Sequence, residues 1–161
     1  MYTNPDVVGC EVGGAVKNVI ALAAGMADGL GFGDTTKAAL ITRGLAELTR
    51  FGVRQGGNPL TFLGLAGNGD LVVTCTSPHS RNHHVGRELG LGRPLDVVLG
   101  EMTMVAEGVK SAAPVLEIAH GSDVSMPICE QVAQVLAGER SPDEAVENLM
   151  TREPVEELHD L

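Results

Sequence analysis

Two stretches of this chain bring together side chains able to move a proton or hold an anion. In the first, Lys17 and Asn18 interrupt a run of Gly, Ala and Val, Gly13-Gly14-Ala15-Val16-Lys17-Asn18. A lysine in such surroundings either points its ammonium at a polar cavity or another charge, or lets its stem run along apolar surface to water. In a cavity it could neutralise a carboxylate, bind phosphate, or exchange a proton with an alkoxide-like oxygen. Asn18 could donate and accept hydrogen bonds nearby, although neighbouring helical positions diverge in direction. The second stretch runs from Asp70 to Asn82. Asp70 and Thr74 are four residues apart, which on a helix places a carboxylate and a hydroxyl on one face. Ser80 at a helix start, followed by Arg81, supplies a hydroxyl, backbone amides and a guanidinium, a donor set for phosphate or carboxylate. Local capping and surface ion pairing are the competing reading of the same residues.

His79, His83 and His84 do not make a metal site. Adjacent histidines do not converge, and no acidic or cysteine ligand completes a set, so no metal is expected. No serine has the strained turn of a nucleophile elbow, so a triad through Asp70 and His79 or His84 is not supported either.

The elements that must position these residues read as helices. The 161 residues fit one domain with a real core, 43% apolar but only 2% aromatic, so Leu, Val, Ile, Ala and Met must fill it. Asp6 is the expected cap of a first helix reaching about Asp28, whose recurrent small residues (Gly9, Gly13, Gly14, Ala21, Ala24) allow close approach of another backbone or a ligand. Val12 to Leu30 is apolar enough to resemble a membrane span, but Lys17, Asn18 and Asp28 make a central core helix the expected reading, with no membrane span. Gly29 to Gly33 breaks that helix. Asp34 or Thr35 is expected to cap a second one ending at about Phe51, with Gly52 as its stop. Asn58-Pro59 opens a short helix through Leu63, Ala66 to Gly69 reads as a turn, and Asp70 to Cys75 as a short helix despite its β-branched residues. Ser80 caps a helix through Arg87 to Leu91. Pro94 begins a short segment ending at Gly100. Further helices are expected over Ser111–His120, with Pro114 in the first turn, over Ile128–Ala137, and from Ser141-Pro142-Asp143-Glu144 to about Met150. The expected fold class is therefore all-α, with residues 1–150 forming the helical domain and 151–161 a polar, loosely held tail.

Eleven basic against 21 acidic residues give a formal charge of −10, which argues against nucleic acid or an anionic membrane as partner. Cys10, Cys75 and Cys129 fit no disulfide framework and suggest a reducing compartment; with no signal-peptide pattern at the start, a cytoplasmic location is expected. No strand leads into GxGxxG, so the chain carries no dinucleotide-binding unit of its own, and Gly29 to Gly33 is a breaker.

Read in order, Gly13 to Asn18, Asp28-Gly29-Leu30-Gly31-Phe32-Gly33-Asp34, Gly64 to Leu71 and Ser80-Arg81-Asn82 resemble the carboxy-terminal domain of bacterial NAD(P)-dependent glycerol-3-phosphate dehydrogenase over nearly the whole chain. The resemblance implies a multi-helix domain similar to the 6-phosphogluconate dehydrogenase C-terminal-domain-like fold. It implies that the full enzyme interconverts dihydroxyacetone phosphate and sn-glycerol 3-phosphate with NAD or NADP, on the way to glycerophospholipids. Lys17 matches the catalytic position that exchanges the proton at the C2 oxygen. Asn18, Asp70, Thr74, Ser80, Arg81 and Asn82 match positions around the substrate, and Arg81, Val105 and Glu107 match positions near the cofactor. The family's amino-terminal Rossmann domain, with its glycine-rich loop and a second substrate lysine, is missing from these residues, so the chain by itself is expected to be inactive. The alternatives are a domain of a related 2-hydroxy-compound dehydrogenase, or a non-catalytic helical phosphate-binding or dimerisation module. Glycine-rich helices also make a homodimer plausible.

Overall fold

A computed structural model describes residues 2–151, so the polar tail expected over 151–161 lies outside the described residues from 152 onward. The described residues form an all-α domain: α1 (Val7–Gly29), α2 (Asp34–Arg54), α3 (Pro59–Leu63), one π-helical turn (Leu65–Gly69), α4 (Asp70–Thr76), α5 (Arg81–Gly90), α6 (Leu95–Glu101), α7 (Glu107–Gly121), α8 (Pro127–Leu136) and α9 (Pro142–Met150).

Helix α1 is the axis around which the others pack. Asp6 caps it, its carboxylate accepting from the Gly9 N–H at 2.9 Å. From Asn18 to Ala27 every residue is buried, in contact with α2, α4, α5, α7 and α8. The helix is long and apolar enough to cross a bilayer by composition, yet more than half of its apolar window is covered by the protein's own helices. That is the pattern of a core helix.

The pairing of α1 with α5 is made by glycines. Asn82 lies against Asn18, Gly86 against Leu22 and Gly90 against Met26, so the two helices run in the same direction with matching four-residue steps. A Cβ on Gly86 would stand 2.0 Å from the Leu22 carbonyl oxygen, and one on Gly25 would stand 2.1 Å from that of His83. The backbones touch there, and no side chain could be inserted without pushing the helices apart. The glycines expected to allow close approach on α1 do not make this contact: a Cβ on Gly13 would meet the Ala66 carbonyl, one on Gly14 would meet nothing within 4 Å, and it is Gly25 and Gly29, further along the helix, that meet α5.

Several boundaries differ from the sequence expectation. Neither Asp34 nor Thr35 caps α2; Gly33 occupies the cap position without a side-chain bond, and Asp34 is the first helical residue, where its charge favours the helix dipole instead. Gly52 does not stop α2, which continues to Arg54, because this glycine makes room for Phe62: a Cβ there would lie 2.0 Å from the ring. The expected turn at Ala66–Gly69 is a π-helical turn, closed by the Gly69 N–H donating to the Gly64 carbonyl at 3.1 Å. Helix α7 begins at Glu107 rather than Ser111, leaving Pro114 in its interior. Proline removes the N–H that would serve the Lys110 carbonyl, but both residues lie on the exposed face, where water can replace it. The Ser141–Glu144 capping box forms as expected.

One buried charge escaped the sequence reading. Glu47 of α2 is 2% exposed, and its carboxylate accepts from the first amides of α8, Ile128 N–H at 2.7 Å and Cys129 N–H at 3.2 Å. The cap residue of α8, Met126, has no side-chain oxygen to do this, so a neighbouring helix supplies it. Burial pushes the Glu47 carboxyl up to about 7 against the opposing pull of those two amides.

Candidate active site

Lys17 and Asn18 leave α1 in different directions, as adjacent helical residues must. The Lys17 ammonium forms an ion pair with Asp70 Oδ2, the two side chains being 19% and 37% exposed. Asp70 is the first residue of α4, held by a π turn whose Gly67 packs on the Phe62 backbone, with Ala66 in turn against Gly13 of α1. Thr74, one turn along, donates its hydroxyl to the Asp70 carbonyl at 2.5 Å and stands 3.4 Å from Asp70 Oδ1. The carboxylate and hydroxyl do share one face.

Asn18 turns instead toward α5 and α7. Its amide donates to the Gly14 carbonyl at 2.9 Å and reaches Glu107 Oε2 at 3.3 Å, while its Oδ1 accepts from the Asn82 amide at 2.9 Å. Asn82 Oδ1 in turn accepts from the Gly108 N–H at 2.9 Å. Both asparagines are 7% exposed and use both their amide nitrogen and oxygen, so they lock three helices together at one level. Gly108 was not foreseen from the sequence. A Cβ there would lie 2.5 Å from the Asn18 carbonyl oxygen, so the start of α7 can approach α1 only as glycine.

Ser80 caps α5 by accepting from the His83 N–H at 3.3 Å. Arg81 follows as the first helical residue, exposed, with a guanidinium that none of the described residues engages. Val105 is 52% exposed just before α7, and Glu107 opens that helix with its carboxylate on the surface. The structure therefore gathers Lys17, Asp70 and Thr74 on one side of α1 and Asn18, Asn82 and Glu107 on the other. Ser80 and Arg81 stand at the start of the helix that Asn82 anchors.

Of the histidines, His79 and His84 are exposed and His83 turns away to Asp28. Among the described residues, no three His, Cys, Asp or Glu side chains gather as metal ligands would. A concavity of about 350 Å³, lined by Leu116, His120, Asp123, Val124, Ser125, Met126 and Glu130, lies at the α7–α8 turn and contains none of the residues above. The Lys17 and Asp70 side chains are part-exposed, at 19% and 37%.

Fold and cluster define an all-helical domain packed around α1, which carries a part-exposed lysine–carboxylate pair on one side and an asparagine network to the starts of α5 and α7 on the other. Residues 6–147 match the family described as NAD-dependent glycerol-3-phosphate dehydrogenase C-terminus. The chain belongs to that family. It is 58% identical over its full length to glycerol-3-phosphate dehydrogenase [NAD(P)+] of Desulfitobacterium hafniense and 56% identical to that of Bacillus subtilis, covering 46% and 47% of those proteins. The crystal structure of glycerol-3-phosphate dehydrogenase from Coxiella burnetii superposes with a TM-score of 0.91 at 40% identity, over 94% of this chain and 46% of that one. The Saccharomyces cerevisiae enzyme gives 0.80 at 30% identity, over 91% and 43%. The chain thus spans a little under half the length of the relatives it matches.

Proposed function

We propose that this chain is the substrate-holding half of an NAD(P)-dependent sn-glycerol-3-phosphate dehydrogenase, interconverting dihydroxyacetone phosphate and sn-glycerol 3-phosphate. The observation that carries the reading is the part-exposed Lys17–Asp70 ion pair. An ammonium has three N–H groups and Asp70 takes one, so two remain to face a substrate oxygen. Bound NAD(P)H supplies the hydride that forms the new C–H bond at C2. As the carbonyl electrons move onto the C2 oxygen, Lys17 Nζ hands that oxygen a proton and is left neutral; oxidation of the alcohol runs the transfer backwards. Asp70 keeps Lys17 aimed, and Thr74 braces Asp70. Asn18 and Asn82 hold the three helices in register around the site.

Arg81 is suited to the substrate phosphate, because its guanidinium is uncommitted and stands at the positive end of a ten-residue helix beside the Ser80 hydroxyl. The cofactor also fits the residues present. Arg81 can meet its anionic phosphates, Val105 offers apolar surface to a ring, and the exposed Glu107 carboxylate can accept from an amide. The cytoplasm is the compartment that suits the free thiols and the supply of NAD(P)H.

The test is made in a full-length enzyme in which this chain follows the nucleotide-binding half of a relative. With NAD(P)H saturating, Arg81→Ala is expected to lower kcat/KM for dihydroxyacetone phosphate by about 10²-fold or more while changing that for unphosphorylated dihydroxyacetone by less than about threefold. An equal loss on both substrates would remove Arg81 from the phosphate.

A further inference from the structure

We infer that the Asp28–His83–Lys37 cluster, outside the residues assigned to substrate, positions the first turn of α5 and thereby sets how Arg81 meets the phosphate. The inference rests on the functional reading above.

Asp28 lies in the last turn of α1, where a carboxylate faces the negative end of the helix dipole. It is compensated twice. Oδ1 pairs with Lys37 Nζ of α2 at 2.8 Å, and Oδ2 lies 2.8 Å from His83 Nε2 of α5. Because a carboxylate only accepts, that imidazole nitrogen carries a proton and donates it. The three side chains are between 11% and 20% exposed, shielded enough for the contacts to hold a geometry.

The need for such a tether comes from the glycine contact between α1 and α5. Gly25, Gly86 and Gly90 bring backbone against backbone and contribute no side chains of their own, so at the first turn of α5 the polar contacts add to the apolar grip of Val85 and Leu89 further along. Asn82 fixes one point through Asn18 and Gly108. The neighbouring residue, His83, leaves the helix roughly 100° further round. Two anchors at different angles in one turn constrain its roll and height more closely than one does. Arg81, held by no other described residue, inherits its placement from that turn. His83 is accordingly a positioning residue, with no contact to substrate.

In the full-length enzyme, His83→Ala is expected to raise KM for dihydroxyacetone phosphate roughly tenfold, with kcat changed less than about twofold, because Lys17 and Asp70 stand on other helices. His83→Gln can still donate to Asp28 and should recover most of the lost KM. A purely structural role predicts instead a lower melting temperature with unchanged KM for the folded fraction, or no rescue by glutamine, and either result overturns the inference. Amide hydrogen exchange reads the tether without any substrate: faster exchange confined to residues 81–86 in His83→Ala supports it, and unchanged exchange there overturns it. Absence of dihydroxyacetone phosphate turnover in the unmutated enzyme would sink the functional reading separately.

Discussion

Lys17→Ala in the full-length enzyme is expected to lower kcat by about 10³-fold or more while leaving the protein folded. The two effects separate because the side chain does different things for each. For stability, Lys17 contributes an ion pair with an Asp70 carboxylate that is 37% exposed, a contact worth about 1 kcal/mol or less once water and salt screen it. For turnover, the proposed role makes it the group that gives a proton to the substrate oxygen and stabilises the charge growing there. Lys17→Arg distinguishes these two contributions. Arginine keeps the positive charge but does not release its proton in the working range, so it should preserve substrate binding far better than kcat. If Lys17→Ala instead lost folded protein in proportion to activity, with no specific defect in turnover, the proton-transfer role would be wrong.

Glu47→Ala carries the largest expected effect on stability, a loss of about 3 kcal/mol. It removes a fully buried carboxylate and strands the Ile128 and Cys129 amides at the start of α8. The same residue imposes a pH dependence. Its pKa is raised in the folded chain from 4.5 to about 7, so the native state holds a proton that the unfolded state has already released across that interval. Stability from this group is fully present below pH 4.5 and is lost as pH rises through about 7, a change of about 3 kcal/mol in all. Urea unfolding midpoints measured from pH 5 to 8 should therefore contain a component that falls with pH in the native chain and is missing in Glu47→Gln. A component of the same size in both proteins would assign it to other groups.

Most local capping signals held, the expected Asp34 or Thr35 cap of α2 being the exception. The Asp6, Asn58 and Ser80 caps and the Ser141–Glu144 box each involve residues two to three apart, and all four form. The four-residue spacing of Asp70 and Thr74 likewise fixed their common face once α4 was read as a helix. What could not be read was whatever joins distant segments. Lys17 could be recognised as a lysine needing a partner, yet its choice of Asp70, 53 residues away, is made by the packing of the π turn on α1. The glycines of the first half of α1 suggested a close approach, but the approach to α5 is made further along, by Gly25 and Gly29 against Gly86 and Gly90. Glu47 looked like one more helical glutamate because the amides it serves lie 81 and 82 residues further on. Pro114 misled for a physical reason: an interior proline is tolerable on an exposed helix face, and composition does not reveal which face that is.

The most direct measurement is NADH and NADPH oxidation with dihydroxyacetone phosphate by this chain joined to the nucleotide-binding half of a relative such as the Bacillus subtilis enzyme, with the 161-residue chain alone in parallel. Turnover by the joined protein and none by the chain alone is the predicted result. A folded joined protein that leaves dihydroxyacetone phosphate unreduced, or robust turnover by the chain alone, would contradict its assignment as the substrate-holding half.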